Sequence, residues 1–156
     1  RRMQRLNILP DVSHTSDRSF WDIMDLVEGP VIASHSNCRA LCDVRRNLTD
    51  EQLRAIRDTG GVIGVNVYHG FVHAEPRMQT AAMLARHAAH IAETIGPEHV
   101  ACGFDFCEYF GPGNEGCEGM ENCAQTGNFF FELERLGFSA AERQGIASEN
   151  LLRVLE

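Results

Sequence analysis

The sequence has 156 residues, long enough for one domain with its own hydrophobic core, since domains commonly contain about 100–150 residues. Its 44% hydrophobic and 23% charged residues are typical of a folded globular protein and exclude a disordered chain. A formal net charge of −8 argues against a nucleic-acid partner, because binding phosphates requires clustered Lys and Arg.

The sequence also bears on the cellular compartment. No apolar run approaches the about 18 residues that cross a bilayer, and the N-terminal stretch RRMQRLNILPDV has too short an apolar part for a secretory signal. The six cysteines do not have the spacing of a small secreted disulfide module, so we expect reduced thiols and a cytoplasmic location. Because the chain starts with Arg1 rather than Met, we expect it to be processed or incomplete at that end.

The first half of the chain alternates short apolar runs with helical stretches. LNILPDVSH predicts a strand, and SDRSFWDIMDLVEG predicts a helix that Ser16 or Asp17 caps and Gly29 closes. PVIASHS predicts a second strand. NLTDEQLRAIRDTGG predicts a second helix, in which Thr49 and Gln52 have the spacing of a capping box.

The second half repeats this alternation. GVIGVNVY is β-branched and bounded by glycine, as expected for a buried third strand. MQTAAMLARHAAHIAETIG has apolar residues at helical spacing, and we interpret its His87 and His90 as surface residues without a carboxylate partner. HVACGFDF predicts a fourth strand, followed by a Gly-rich loop (109–121) and helical segments from about Gly127 to Leu155.

Strands that alternate with helices predict an α/β protein with right-handed crossovers and a buried parallel sheet. The predicted strands start at positions 7, 30, 61 and 99, so they lie 23, 31 and 38 residues apart. A TIM barrel of about 250 residues divided into eight units gives a similar spacing of about 31 residues. We therefore predict a single domain over residues 1–156 made of four βα units, which is half of a barrel.

Polar side chains that can carry chemistry follow the predicted strands. His14, His35, Tyr68 and Asp105 each come at or just after the carboxyl end of a strand, where the βα loops of such folds converge. Each of them alone could be an ordinary polar loop residue. The repeated placement of two histidines and an aspartate instead favours a divalent metal such as zinc (Zn²⁺).

Long stretches of the chain resemble a known family. DVSHTSDRSFWDIM, PVIASHSNCRALCDVRRNLTDEQLRAIRDTGGVIGVN, HVACGFDF and SENLLRVL are similar to the carboxyl-terminal half of the membrane (renal) dipeptidase family of zinc peptidases, within the amidohydrolase-like superfamily. The similarity runs from about Leu6 to Leu155. It implies the C-terminal half of a TIM (β/α)8 barrel that hydrolyses dipeptides at a binuclear zinc centre.

The resemblance also assigns roles to individual residues. It implies that His14 and His35 are the two histidine ligands of one zinc and that Asp105 handles the proton in hydrolysis. Arg46 matches the arginine that holds the terminal carboxylate of the substrate, a role that suits the planar guanidinium fork, and Tyr68 falls near a substrate-contacting tyrosine. From the sequence alone, Arg46 could instead be a surface charge beside a helix.

Some metal ligands of this family have no counterpart in the sequence. The family completes its metal site with a His-x-Asp pair and a bridging glutamate from the amino-terminal half, and the sequence contains none of that half. Cys107 stands where the family commonly has an aspartate. The chain alone is therefore expected to be a poor hydrolase, and its open strand edges should favour a homodimer or association with the missing half.

Two other functions stay open at this level. A metal-dependent hydrolase of the wider amidohydrolase group, acting on lactones, lactams or cyclic amides, would carry histidines at the same strand ends. A truncated chain without catalytic activity that assembles with a partner would explain the missing ligands directly.

Overall fold

A computed structural model describes residues 2–156 as a mixed α/β protein. The α-helices and strands are, in chain order, α1 (Asp17–Met24), α2 (Asp50–Asp58), β1 (Ile63–Val65), α3 (His69–Val72), α4 (Ala81–Ile95), β2 (Val100–Cys102), α5 (Thr126–Arg135), α6 (Ala140–Gln144) and α7 (Asn150–Leu155). Short 3-10 helices lie at Gln4–Leu6, Pro76–Met78, Pro97–His99, Glu108–Phe110 and Cys123–Gln125, and a π-helical turn (Gly145–Glu149) joins α6 to α7. The mixed α/β class predicted from the sequence is confirmed.

The strand segments run parallel, and neighbours in the chain are neighbours in space. β1 and β2 pair in parallel along their whole length. The first two predicted strands are reduced to single parallel bridges, one between Asp11 and Ile32 and one between Ala33 and Ile63. Pro10 has no backbone N–H to donate, which shortens the ladder beside Asp11. The four segments still lie side by side in chain order.

Helix α1 begins where the sequence predicts and ends earlier. The Ser16 side chain accepts a hydrogen bond from the backbone of the first turn and is the N-cap. The prediction that the helix continues to Gly29 was wrong, because α1 ends at Met24. The Leu26 N–H bonds to the carbonyl of Ile23, three residues back, which tightens the last turn and ends the α-helical ladder.

Helices α2 and α4 have the side-chain caps that keep their first turns from fraying. The Gln52 N–H donates to the Thr49 hydroxyl at 3.3 Å, and the Thr49 N–H donates to the Gln52 side chain at 2.9 Å. This reciprocal pair is the capping box predicted from the sequence. The Thr80 side chain caps α4 by accepting a hydrogen bond from the backbone N–H of Met83, without a reciprocal bond.

The interpretation of the two histidines of α4 as surface residues was wrong. His87 is fully buried, since its Nδ1 accepts from the Cys38 N–H at 3.0 Å and its Nε2 donates to the Val72 carbonyl at 2.8 Å. His90 is half-buried and has a carboxylate partner, with Nε2 2.7 Å from Asp50. The face carrying both residues is covered because α4 packs against α2, α3 and α5.

The core lies between the strands and α4. β1 is buried along its length, and Leu84, Ala88 and Ile91 of α4 join Ile63 and Val65 in one hydrophobic cluster. Burial of each Leu, Ile or Val side chain in this cluster contributes about 1.5–3 kcal/mol to the stability of the fold. This packing fixes the carboxyl ends of the strands, where the predicted site residues lie.

Two glycines permit a close approach of backbones beside these strand ends. A Cβ at Gly103 would lie 1.8 Å from the Ser34 carbonyl oxygen, and a Cβ at Gly64 would lie 2.2 Å from the same atom. Neither position has space for a side chain. The segment that carries Ser34 and His35 is therefore pressed directly against β1 and the end of β2.

Two further features relate to the predicted compartment. Within residues 2–156, no helix combines the length and the apolar character that crossing a bilayer requires. All six cysteines carry free thiols. The cytoplasmic location stays a prediction.

Candidate metal and substrate site

Three of the predicted site residues lie together at the strand ends. The Nε2 atoms of His14 and His35 are 2.9 Å apart, and Nε2 of His35 lies 3.9 Å from Oδ2 of Asp105. His14 and Asp105 are exposed, and His35 is partly buried. The arrangement brings two imidazole nitrogens and a carboxylate oxygen to one solvent-accessible point.

The backbone at two of these residues is unusual. His14 has a φ of 66° and Asp105 a φ of 59°. These values lie in the left-handed region, which residues other than glycine rarely adopt. Such conformations cost about 1–3 kcal/mol each and persist where the surrounding structure enforces them. Both occur just after a parallel strand segment, at the turn that brings the side chain to the shared point.

A chain of hydrogen bonds holds His35 from behind. The Ser34 hydroxyl contacts Nδ1 of His35 at 2.7 Å and also donates to Oδ2 of Asp11. The other Asp11 oxygen accepts from the backbone N–H groups of Ser13 and Ser34, both at 3.0 Å. Sequence reasoning missed Asp11 and Ser34; the available signal was two polar residues inside otherwise apolar strand-like runs.

The electrostatic environment favours neutral His35 and charged Asp11. Burial and the positive charge of Arg46 lower the pKa of His35, against the opposing effect of Asp105. Burial raises the pKa of Asp11, but the hydrogen bonds from Ser34 and Ser13 together outweigh it and lower that pKa. A neutral imidazole is the form that binds metals.

Arg46 is anchored beside His35. Its Nη1 donates to the Ser36 hydroxyl at 2.8 Å, its Nη2 donates to the His35 carbonyl at 2.7 Å, and its guanidinium lies 5.6 Å from the centre of the Phe71 ring. Burial lowers the pKa of Arg46, while Asp105 and Asp11 oppose this shift. The guanidinium stays charged. Its Nε is buried and has no hydrogen-bond partner among the described residues.

Asp105 has a partner on each carboxylate oxygen. Asn66 donates from Nδ2 to Oδ2 at 3.2 Å, and the Cys107 thiol lies 3.8 Å from Oδ1. Burial and the neighbouring Asp105 raise the pKa of Cys107, so its thiol stays protonated and can donate. Asn66 was also missed from the sequence, although it is a polar residue in the apolar run GVIGVNVY.

Two open cavities flank the point where these residues meet. One cavity of about 230 Å³ is lined by Tyr68 and Phe110 together with Asp105. The other, of about 480 Å³, is lined by His14 and Arg46. Four of the five predicted residues therefore line these cavities, Tyr68 and Asp105 the first and His14 and Arg46 the second, while His35 lines neither.

Comparison with known proteins assigns the family. The sequence model of the membrane dipeptidases (peptidase family M19) matches residues 1–156. The chain belongs to the membrane dipeptidase family. This confirms the family resemblance identified from the sequence.

Two curated relatives match long stretches of the chain. An uncharacterized dipeptidase of Schizosaccharomyces pombe is 33% identical over 97% of this chain, which covers 36% of that relative. An uncharacterized protein of Klebsiella pneumoniae, from the region 5′ of pqqA, is 43% identical over 68% of this chain, which covers 40% of that protein. The chain thus spans less than half the length of these relatives.

A solved structure shares the fold. The crystal structure of a metallo peptidase from Rhodobacter sphaeroides, liganded with a phosphinate mimic of the dipeptide L-Ala-D-Ala, superposes with a TM-score of 0.87 at 28% identity. The match covers 99% of this chain and 43% of the Rhodobacter chain. The described strands and helices therefore have the arrangement of the corresponding part of a metallopeptidase.

The distance between His14 and His35 is compatible with two coordination positions on one metal. Nitrogens about 2.0–2.1 Å from a tetrahedral zinc lie about 3.3 Å apart, so the imidazoles would separate only slightly from their 2.9 Å contact. Within residues 2–156, no group of three or more His, Cys, Asp or Glu side chains has the arrangement of a metal cluster. Catalytic zinc usually has three protein ligands, so the described residues provide an incomplete set.

Proposed function

We propose that the chain is the carboxyl-terminal half of the catalytic domain of a metal-dependent dipeptidase, with its four βα units forming half of a TIM barrel. The observation that carries the proposal is the convergence of His14, His35 and Asp105 in a member of this family. The four parallel segments in chain order and the 36–43% of its relatives' length that the chain spans support the half barrel.

His14 and His35 would hold one zinc through their Nε2 atoms. A bound zinc would supply Lewis-acid chemistry, lowering the pKa of a water and polarising the peptide carbonyl. The remaining ligands, and those of a second metal, would come from the amino-terminal half. This division explains why the described residues offer only two histidine positions.

Asp105 would act as the proton carrier. Its carboxylate is accessible and lies 3.9 Å from Nε2 of His35, one of the two histidines that would hold the metal. Asn66 holds Oδ2, and Cys107 contacts Oδ1, so the carboxylate keeps one orientation. In that position Asp105 can accept a proton from the attacking water and return it to the leaving amine.

Arg46 would bind the terminal carboxylate of the substrate. Its guanidinium is anchored by the Ser36 hydroxyl and the His35 carbonyl, lines the cavity that also contains His14, and has no carboxylate at hydrogen-bond distance among the described residues. A cation fixed beside the metal-binding histidine requires the free carboxyl terminus to lie close to the cleaved bond. Dipeptides meet that requirement, and Tyr68 would line the cavity that receives the other residue.

Hydrolysis of a dipeptide by the protein that carries this chain tests the proposal. We expect His35→Ala and a strong chelator each to reduce activity about 100-fold or more, because a metal supplies several kcal/mol of transition-state stabilisation. His73→Ala is the matched control, since that ring accepts a hydrogen bond from the nearby Glu75 N–H and lines neither of the two cavities at the strand ends. Activity insensitive to the chelator would contradict the metal. Turnover of lactones or lactams without any dipeptide hydrolysis would contradict the substrate.

A further inference from the structure

The hydrogen bonds behind His35 form a directed chain. Asp11 lies three residues before His14, and its bridge to Ile32 holds the two site segments side by side. Oδ1 of Asp11 accepts two backbone N–H groups, Oδ2 contacts the Ser34 hydroxyl, and that hydroxyl contacts Nδ1 of His35. The chain therefore ends on the ring nitrogen that faces away from His14.

Counting protons fixes the direction of each bond. An ionised aspartate can only accept, so the single hydroxyl proton of Ser34 points to Asp11. The Ser34 oxygen then presents lone pairs to His35, and a hydrogen bond at 2.7 Å requires a proton on Nδ1. A neutral imidazole with its proton on Nδ1 has a free lone pair on Nε2.

We propose that Asp11 and Ser34 are positioning residues that lock His35 in the Nδ1–H tautomer and aim the Nε2 lone pair at the metal position. The inference rests on the proposed function only for the identity of the ligand. It also fixes the partner ring: with Nε2 of His35 as acceptor, the 2.9 Å contact makes His14 the Nε2–H donor. In the metal-free chain the two histidines therefore have opposite tautomers.

Asp11→Asn provides a test because it reverses the chain of bonds without changing its shape. The two backbone N–H groups at Oδ1 select the amide oxygen for that position. The amide NH₂ must then face the Ser34 hydroxyl and donate to it. Ser34 in turn donates its proton to Nδ1 of His35, which moves the ring proton to Nε2.

The experiment reads the ring tautomers directly. Long-range ¹H–¹⁵N correlation spectra of the ¹⁵N-labelled, metal-free chain at neutral pH should show His35 protonated on Nδ1 and His14 protonated on Nε2. Asp11→Asn should move the His35 proton to Nε2. The zinc affinity of the longer protein that carries this chain, measured by competition with a chromophoric chelator, should fall about 10–100-fold, as is usual when the hydrogen-bond partner of a metal-binding histidine is changed.

Two further variants separate positioning from general damage. Ser34→Ala removes the relay hydroxyl and should leave His35 as a mixture of tautomers. Ser13→Ala removes a hydroxyl that accepts from the backbone N–H of His35 at 3.0 Å, but not the ring contact, so it should keep the wild-type tautomer.

The outcomes are distinct. A wild-type His35 protonated on Nε2, or a folded Asp11→Asn chain that keeps the Nδ1 proton, would overturn the relay. Inversion of the tautomer with unchanged zinc affinity would overturn its link to the metal. Failure of the protein that carries this chain together with the amino-terminal half to bind zinc would count against the proposed function, while the tautomer spectra of the chain still judge the relay.

Discussion

His87 is a fully buried histidine whose two ring nitrogens both make hydrogen bonds to the backbone. It connects α4 to the loop after the second strand segment, through Cys38, and to α3, through Val72. Both ring nitrogens are used in their neutral state, so protonation of the ring would place a charge and a misdirected donor in the core. Burial lowers the pKa of His87 from 6.5 to about 4.

The lowered pKa of His87 predicts that the free energy of unfolding decreases with acidification between pH 6.5 and about pH 4. Between these pH values the unfolded chain binds more protons than the native chain. The contribution of neutral His87 to the free energy of unfolding is therefore fully present above pH 6.5 and is lost as the pH falls towards about 4. The shift corresponds to about 3 kcal/mol. Urea unfolding measured across this range should show the loss in the wild type.

His87→Gln is the variant that isolates the effect. Gln keeps a donor but does not titrate, so the variant should be less stable at neutral pH and lose less stability on acidification. His69→Gln replaces a half-buried histidine that is not among the groups acting on the pKa of His87, so it is the matched control and should keep the wild-type slope. An identical slope in wild type and His87→Gln would show that another group causes the acid sensitivity.

At the residue scale, the sequence predicted the ends of strands better than the connections between side chains. His14, His35 and Asp105 could be identified because each follows an apolar run, and parallel strands bring such positions together. Asp11 and Ser34 are 23 residues apart in the chain, and nothing local indicates that their side chains meet. His87 was misassigned because helical periodicity cannot tell how many sides of a helix the neighbouring helices will cover.

At the scale of elements, the approach of the second strand segment to β1 and β2 depends on glycine. The Ser34 carbonyl oxygen occupies the space that a side chain at Gly103 would need. The same segment carries His35. The contact between Gly103 and Ser34 therefore sets both the distance of this segment from β2 and the position of the candidate metal ligand His35. Gly127 differs, because a Cβ at this position in the first turn of α5 would meet nothing within 4 Å.

Gly103→Ala therefore tests the coupling between packing and site. The added methyl group would lie 1.8 Å from a backbone oxygen, so the strand must shift, at a cost of about 1–3 kcal/mol in unfolding free energy. The shift should also weaken zinc binding. Gly127→Ala should be neutral or stabilise by up to about 1 kcal/mol, since alanine is the better helix former. Equal stability and zinc affinity of the two variants would contradict the close approach.

The elements themselves were predictable to different degrees. The caps at Ser16 and Thr49 depend on residues three positions away, so the sequence contains all the information that determines them. The first two strands were predicted as continuous but form single bridges, because a strand needs partners along its whole length. That requirement is a property of the assembled sheet, and Pro10 removes one donor from it.

At the scale of the whole molecule, the described fold leaves edges and apolar surface uncovered. Within residues 2–156, the segment at Asp11 pairs only with the segment at Ile32, and β2 pairs only with β1. A groove of about 400 Å³ near the two chain ends is lined by Ile8 and Leu155, which are 47% and 62% exposed. Open strand edges and apolar grooves of this kind favour association with another chain.

We expect the isolated chain to be larger than its monomer mass of 17.4 kDa in solution, as a homodimer or a higher assembly, at micromolar concentration. Light scattering coupled to size-exclusion chromatography measures this directly. If the groove at the chain ends takes part, the pair of substitutions Ile8→Asp and Leu155→Asp should shift the population towards monomer. Phe131→Asp replaces an exposed side chain of α5 that does not line the groove, so it is the matched control and should leave the assembly unchanged. A stable, soluble monomer of the wild-type chain would contradict the proposal, because the exposed edges would then need no partner.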